Sequence, residues 1–192
     1  AKINGQYKGR ITFALSSIGD KDYVTVANDN YKMGMELGLR VVADAGSKEV
    51  AILDHGINRD YLNERKAGLL YAFNDRGYPV EDWMITQDGQ EYCEVLKDKL
   101  VNSNVEKIIV INEETLSDVI RVTDSIERII EVYAIANSDE AVYLLDSRKI
   151  KLLAFPDEFA IGYEAVSLDN SEKLIQYKLV DRKNMYKGEY EK

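Results

Sequence analysis

Residues 24–38 read V-T-V-A-N-D-N-Y-K-M-G-M-E-L-G: a short apolar run, a polar knot, then a helical pattern. The β-branched and aromatic residues of 23–26 predict a strand, stopped by the polar residues of 27–30. Apolar side chains at Met33, Met35, Leu37, Leu39, Val41 and Val42 predict an amphipathic helix behind the knot. Asp29 or Asn30 supplies its N-cap, since a short polar side chain accepts a hydrogen bond from an orphan amide of the first turn.

Outward from this stretch, the chain settles into a rhythm. Upstream, residues 1–10 are polar and glycine-containing and read as a loop, and 11–15 is a short apolar run ending at Ser16. Downstream, apolar runs at 50–53, 83–85, 108–111, 132–135 and 150–154 predict five strands. Helical patterns fall between them, at about 60–74, 91–101, 114–127 and 139–146. Short runs without alternation are expected of parallel strands buried on both faces. The predicted fold class is therefore α/β, a doubly wound parallel five-stranded sheet with right-handed crossovers. A helical bundle does not suit V-A-I-L and I-I-V-I, which are too short and too branched. Beyond Pro156 one more helix begins, with Phe159, Ile161, Tyr163 and Val166 available for burial, and 176–180 offers a last strand.

The composition narrows the chemistry. The 192 residues carry a formal charge of −9, with basic and acidic side chains interleaved, which argues against nucleic acid as a partner. The single cysteine, Cys93, rules out an internal disulfide and a cysteine metal cluster, and reads as a small buried thiol in a helix. No apolar run reaches membrane-spanning length, so no membrane insertion is expected.

No nucleophile motif such as G-x-S-x-G accompanies His55, the only histidine, so catalytic residues are not expected. Metal-ligand pairs at usable spacing are missing as well, as are the glycine-rich nucleotide loops, so neither metal nor cofactor is predicted. What remains is position: ligands of open parallel sheets bind beyond the carboxyl ends of the strands. The residues there are Asp54-His55-Gly56, Thr86-Gln87-Asp88, Asn112-Glu113 and Asn137-Ser138-Asp139. Such a hydrogen-bonding rim suits a polar, uncharged ligand such as a sugar, although Asp88 and Asp139 equally suit helix capping.

These segments, taken in order, resemble the type I periplasmic sugar-binding proteins and the effector domains of LacI-type regulators. V-T-V-A-N-D-N-Y-K-M-G is similar to the family's passage from the first lobe to the second. I-L-D-H-G, followed by N-E-R-K-A-G-L-L-Y-A-F, resembles its strand, loop and R-x-x-G helix. I-I-V-I-N-E-E-T-L, V-Y-A-I-A-N-S-D-E-A and K-I-K-L-L-A-F-P-D-E-F-A-I-G-Y-E-A-V resemble later strands and the return crossing. The resemblance implies a complete lobe two over 29–154. Around it would lie part of lobe one at 1–28, a return to lobe one at 155–175, and a C-terminal strand and tail at 176–192. Most of the N-terminal lobe is expected to be absent.

Residue by residue, the resemblance makes Arg65 and Asn112 ligand contacts. Ser138 or Asp139 stands where the family has an aspartate. Phe155 replaces a polar residue at the return crossing, and Ser16 falls where an acidic-arginine pair is common. His55 joins the candidates from its place on the rim. The function implied is that of a non-catalytic protein binding a small polar ligand, a carbohydrate, between two lobes. An ABC transporter permease or a sensor kinase would be its partner, in a periplasmic or lipid-anchored setting. A LacI-type effector core in the cytoplasm is the alternative, and an α/β enzyme acting at the strand ends is a third reading.

Overall fold

The computed structural model describes residues 12–14, 24–46, 48–167 and 173–187. Five strands, β3 (Glu49–Asp54), β4 (Glu81–Met84), β5 (Val105–Val110), β6 (Glu131–Ile135) and β7 (Leu152–Pro156), run parallel in one sheet. Their order is β4-β3-β5-β6-β7, and β9 (Tyr177–Val180) adds a sixth, antiparallel strand beyond β7. The parallel five-stranded sheet is thus extended at one edge by the strand foreseen at 176–180.

Successive side chains of each strand point to opposite faces, and both faces are covered. Val50, Ile52, Ile109 and Ile111 pack with Met33, Leu37, Leu69 and Phe73 of α1 (Asn30–Ala45) and α2 (Asp60–Asp75). Ala51, Leu53, Ile108 and Val110 pack on the other side with side chains of α3 (Gly89–Val101), α4 (Leu116–Asp124) and α5 (Asp139–Asp146). That two-sided burial is why these runs show no polar alternation. At the edge the signal weakens. In β4 only Trp83 is buried, and the strand begins at Glu81, ahead of the apolar run. The helix expected over 114–127 opens as a 3-10 turn, Glu113–Thr115, and ends at Asp124.

Helices α1 and α2 touch backbone to backbone. A Cβ on Gly34 would lie 2.0 Å from the carbonyl oxygen of Arg65, and one on Gly68 would lie 2.0 Å from that of Tyr31. No side chain fits either place without moving a helix.

A second, three-stranded parallel sheet contains β1 (Thr12–Ala14), β2 (Val24–Asn28) and β8 (Lys173–Ile175), in the order β1-β2-β8. Helix α6 (Glu158–Val166) packs against it. Of the four apolar side chains offered for burial on α6, only Ile161 is buried; Phe159, Tyr163 and Val166 are exposed. One helix face suffices for a sheet this small. Among the described residues the chain passes between the two sheets three times, each time through one residue: Asp29, Asp157 and Gln176. Asp29 accepts from the Lys32 amide and Asp157 from the Ala160 amide, so two of the three passages also cap the helix they open. The third passage, at Gln176, was not foreseen in the sequence.

At the amino-terminal end of the large sheet, Lys107 is fully buried. Its Nζ lies 2.7 Å from Glu131, 2.8 Å from the Tyr133 hydroxyl and 3.1 Å from Asp44, which binds β5 and β6 to the end of α1. Lys151 adds contacts to Asp44 and Glu131, and Lys48 reaches Glu131. Burial pushes the Glu131 carboxyl up, but hydrogen bonds from Lys107, Lys151 and Lys48 outweigh it and hold the group at about 2. Asp44 is lowered in the same way: burial raises it, and Lys151, Tyr133 and Lys107 together more than reverse that.

Carboxyls with depressed folded-state values stabilise fully above their ordinary range, and the contribution disappears as pH falls through the folded value. Thermal midpoints should therefore fall steeply between about pH 4.5 and pH 2. Removing one partner of such a buried cluster, as in Lys107→Met, should cost about 3–5 kcal/mol at neutral pH. Denaturant titration checks this, and a loss under about 1 kcal/mol would deny the cluster that role.

Helix contact makes a second prediction. Gly68→Ala should destabilise by at least about 1–3 kcal/mol, as overpacking does. Gly162→Ala, in α6 with nothing within 4 Å of the added Cβ, should be neutral or stabilise by about 0.5–1 kcal/mol. Equal unfolding midpoints for the two variants would contradict the packing argument.

Candidate ligand-binding cleft

The carboxyl ends of β5, β6 and β7 and the starts of α2 and α6 enclose a cavity of about 260 Å³. Tyr61 and Arg65 reach it from α2, Asn112 and Glu113 from the end of β5, Asn137 from beyond β6, and Glu158 from α6. This is the strand-end position expected of a ligand site in an open parallel sheet. Because α6 belongs to the small sheet, the cavity has walls from both sides of the passages.

Arg65 is 7% exposed. Its Nε donates to Asn30 Oδ1 at 3.1 Å and an Nη to the Ile111 carbonyl oxygen at 3.4 Å. The guanidinium lies 4.9 Å from the centre of the Tyr61 ring. A guanidinium carries five N–H donors, so others remain for the cavity that Arg65 lines. Burial lowers its pKa to about 10, partly offset by Tyr61, Glu158 and Glu113. The group stays charged at neutral pH.

Asn112 is 6% exposed. Its Oδ1 accepts from the Glu114 amide at 3.3 Å, as in an Asx turn, which fixes the carboxamide. Its Nδ2 is buried and has no hydrogen-bond partner among the described residues. An unpaired buried donor costs about 1–3 kcal/mol. The residue lines the cavity, while this nitrogen is itself out of contact with solvent.

Glu113, next to it, uses both carboxylate oxygens on the loop after β6, accepting from the Asn137 amide at 3.0 Å and the Ser138 amide at 2.9 Å. Asn137 Nδ2 donates to the Pro156 carbonyl oxygen at 3.3 Å. These contacts join the ends of three neighbouring strands around the cavity.

The remaining sequence candidates lie elsewhere. Ser138 caps α5, its Oγ accepting from the Ala141 amide, and Asp139 is exposed in that helix's first turn. His55 bridges the Ile85 carbonyl oxygen and the Asp88 carboxylate, each at 2.9 Å, edge-on to Tyr92. It does not line the cavity. Phe155 packs against the core and borders a separate groove with Val142, Leu145 and Phe159. Ser16 lies outside the described residues. Of the candidates, the cavity brings together Arg65 and Asn112.

Sequence reasoning passed over Tyr61 and Glu158. Tyr61 had a signal, since it precedes Arg65 by four and shares its helix face. Glu158 had none, because only the passage at Asp157 brings α6 to the cavity. Among the described residues lining the cavity there is no Ser, Cys or His.

With Nδ2 unpaired in the parent, Asn112→Ala removes a cap and an unsatisfied donor together. Stability should change by less than about 1 kcal/mol. A loss above about 3 kcal/mol in denaturant titration would mean that the amide is a structural group after all.

The architecture is that of a lobe of the type I periplasmic binding protein fold. No family model matches the chain, and no curated protein resembles it significantly in sequence. Solved structures do resemble it in three dimensions. A glucose-galactose binding protein, GanP, from Geobacillus stearothermophilus superposes with a TM-score of 0.79 at 14% identity. The match covers 92% of this chain and 69% of that one. A carbohydrate transporter solute-binding protein from Agrobacterium radiobacter, solved with D-arabinose, gives a TM-score of 0.78 at 16% identity, over 95% of this chain and 69% of that one. A chain of a complex named XylFII-LytSN gives 0.77 at 16% identity, over 91% and 68%. At these identities the likeness is one of fold, and the chain spans about two thirds of each neighbour's length.

Proposed function

We propose that the cavity binds a small, neutral, polyhydroxylated ligand of the sugar class, and that the protein is a solute-binding component without catalytic activity. The observation that carries this reading is that two buried polar side chains, Arg65 and Asn112, line one cavity, and that Asn112 Nδ2 has no partner among the described residues. Both groups donate and so call for acceptor oxygens. Glu158 and Glu114, on the same cavity, accept. A sugar hydroxyl donates and accepts at once and satisfies both kinds of wall, whereas a sugar acid or phosphate would meet carboxylates. Tyr61 adds an aromatic surface on which a C–H face can rest.

The fold neighbours support the reading, since GanP is a glucose-galactose binding protein and another neighbour holds D-arabinose. A neighbour from Acidothermus cellulolyticus was solved with myo-inositol. With walls from both sides of the passages, ligand would favour whichever sheet arrangement closes on it, by its differential affinity alone. The closed form would be what an extracytoplasmic partner, an ABC permease or a sensor kinase, distinguishes from the open one.

Calorimetric titration with D-glucose, D-galactose, D-xylose, D-arabinose and myo-inositol tests this. One of the five should bind with a single-site isotherm. Arg65→Ala and Asn112→Ala should then weaken it about ten- to a hundredfold, the range for hydrogen bonds to a charged and a neutral donor. Binding of equal strength in both variants would place the site elsewhere.

A further inference from the structure

Two buried carboxamides connect the passages between the sheets to Arg65, and neither lines the cavity. Asn28 ends β2 and is 4% exposed. Its Nδ2 donates to the carbonyl oxygens of Ile175, at 2.7 Å, and Gln176, at 3.3 Å. One side chain therefore clamps the first passage, at Asp29, to the third, at Gln176. The backbone oxygen of Asn28 in turn accepts from Asn30 Nδ2 at 3.2 Å. Asn30, 3% exposed, presents its Oδ1 to Arg65 Nε at 3.1 Å. The path runs Gln176, Asn28, Asn30, Arg65; the link at Gln176 is part-buried, and the links from Asn30 to the Asn28 carbonyl oxygen and to Arg65 are buried.

We propose that Asn28 is a positioning residue that couples the geometry of the passages to the orientation of the Arg65 guanidinium. A relative swing of the two sheets must turn the residues at 29 and 176. Asn28, bonded across both, transmits that turn to Asn30. Asn30 holds Nε while the Ile111 carbonyl oxygen holds an Nη. Ile111 follows the large sheet's β5 and Asn30 follows the passage, so the direction in which Arg65 presents its remaining donors depends on the angle between the sheets. Close contact of α1 with α2 at Gly34 and Gly68 leaves little slack in which this displacement would be lost. The bearing on ligand rests on the reading of the cavity given above; the mechanical coupling does not.

Exchange of the Arg65 Nε proton with solvent, followed by NMR on the ligand-free, full 192-residue chain, tests the coupling directly. Asn30→Ala removes the acceptor itself and should accelerate exchange. Asn28→Ala, which does not touch Arg65, should also accelerate it, on the order of fivefold or more, the factor for one ordinary hydrogen bond. Backbone amides of Ile109 and Ala134 should keep their protection, showing an intact large sheet. Should Asn28→Ala fail to fold, Asn28→Ser, with one donor on a shorter side chain, carries the same expectation. Wild-type exchange at Arg65 Nε in a folded Asn28 variant overturns the proposal and leaves Asn28 a local staple between β2 and β8. Because no ligand is needed, a chain that binds none of the five sugars yet shows the coupled exchange loses the sugar reading and keeps the coupling.

Discussion

Close approach of α1 and α2 governs much of the structure. Backbone atoms of one helix fill the space where Gly34 and Gly68 have no Cβ, and the two helices lie together on one face of the large sheet. At that spacing Asn30, in the first turn of α1, reaches the Nε of Arg65, in the second turn of α2. A wider gap would take Asn30 from the Arg65 Nε and leave the guanidinium with the Ile111 carbonyl oxygen and the Tyr61 ring. Burying its charge, with the desolvation it entails, is sustainable because the hydrogen bonds and the neighbouring carboxylates are already in place.

The two ends of the large sheet treat buried polar groups in opposite ways. At the amino-terminal end, Lys107 is met by carboxylates, a hydroxyl and a carbonyl oxygen, and nothing around it asks for a further partner. At the carboxyl end, Asn112 is held by its oxygen, with its nitrogen unmet among the described residues. A satisfied cluster contributes rigidity, and an unsatisfied donor stores free energy that an incoming acceptor can release. The contrast fits a sheet anchored at one end and receptive at the other.

Much of this was legible in the amino-acid sequence, for identifiable reasons. V-A-I-L and I-I-V-I announce parallel strands because burial on both faces suppresses alternation, and all five such runs lie in the parallel sheet. Edge strands are harder to read: Glu81 and Asp82 are exposed at the start of β4, so the apolar run there understated the strand. Of the cavity's lining, Arg65 was named through resemblance alone and Asn112 through resemblance and strand-end position together. Tyr61 was passed over although its spacing from Arg65 pointed to the same helix face, and Glu158 had no signal, because it needed the path of the chain after Pro156. Phe159, Tyr163 and Val166 look like core residues in one dimension. Their exposure follows from how little sheet α6 has to cover among the described residues.

Single-residue passages at Asp29, Asp157 and Gln176 limit how the two sheets can move. One extended residue spans at most about 3.6 Å, so three such tethers side by side allow almost no sliding or separation. Rotation about the line through them is left as the compliant coordinate. Thermal motion between the sheets then samples one angle rather than a six-dimensional set of placements. The entropy lost on fixing that angle is correspondingly small, so little of a ligand's affinity would be spent on ordering the protein around it.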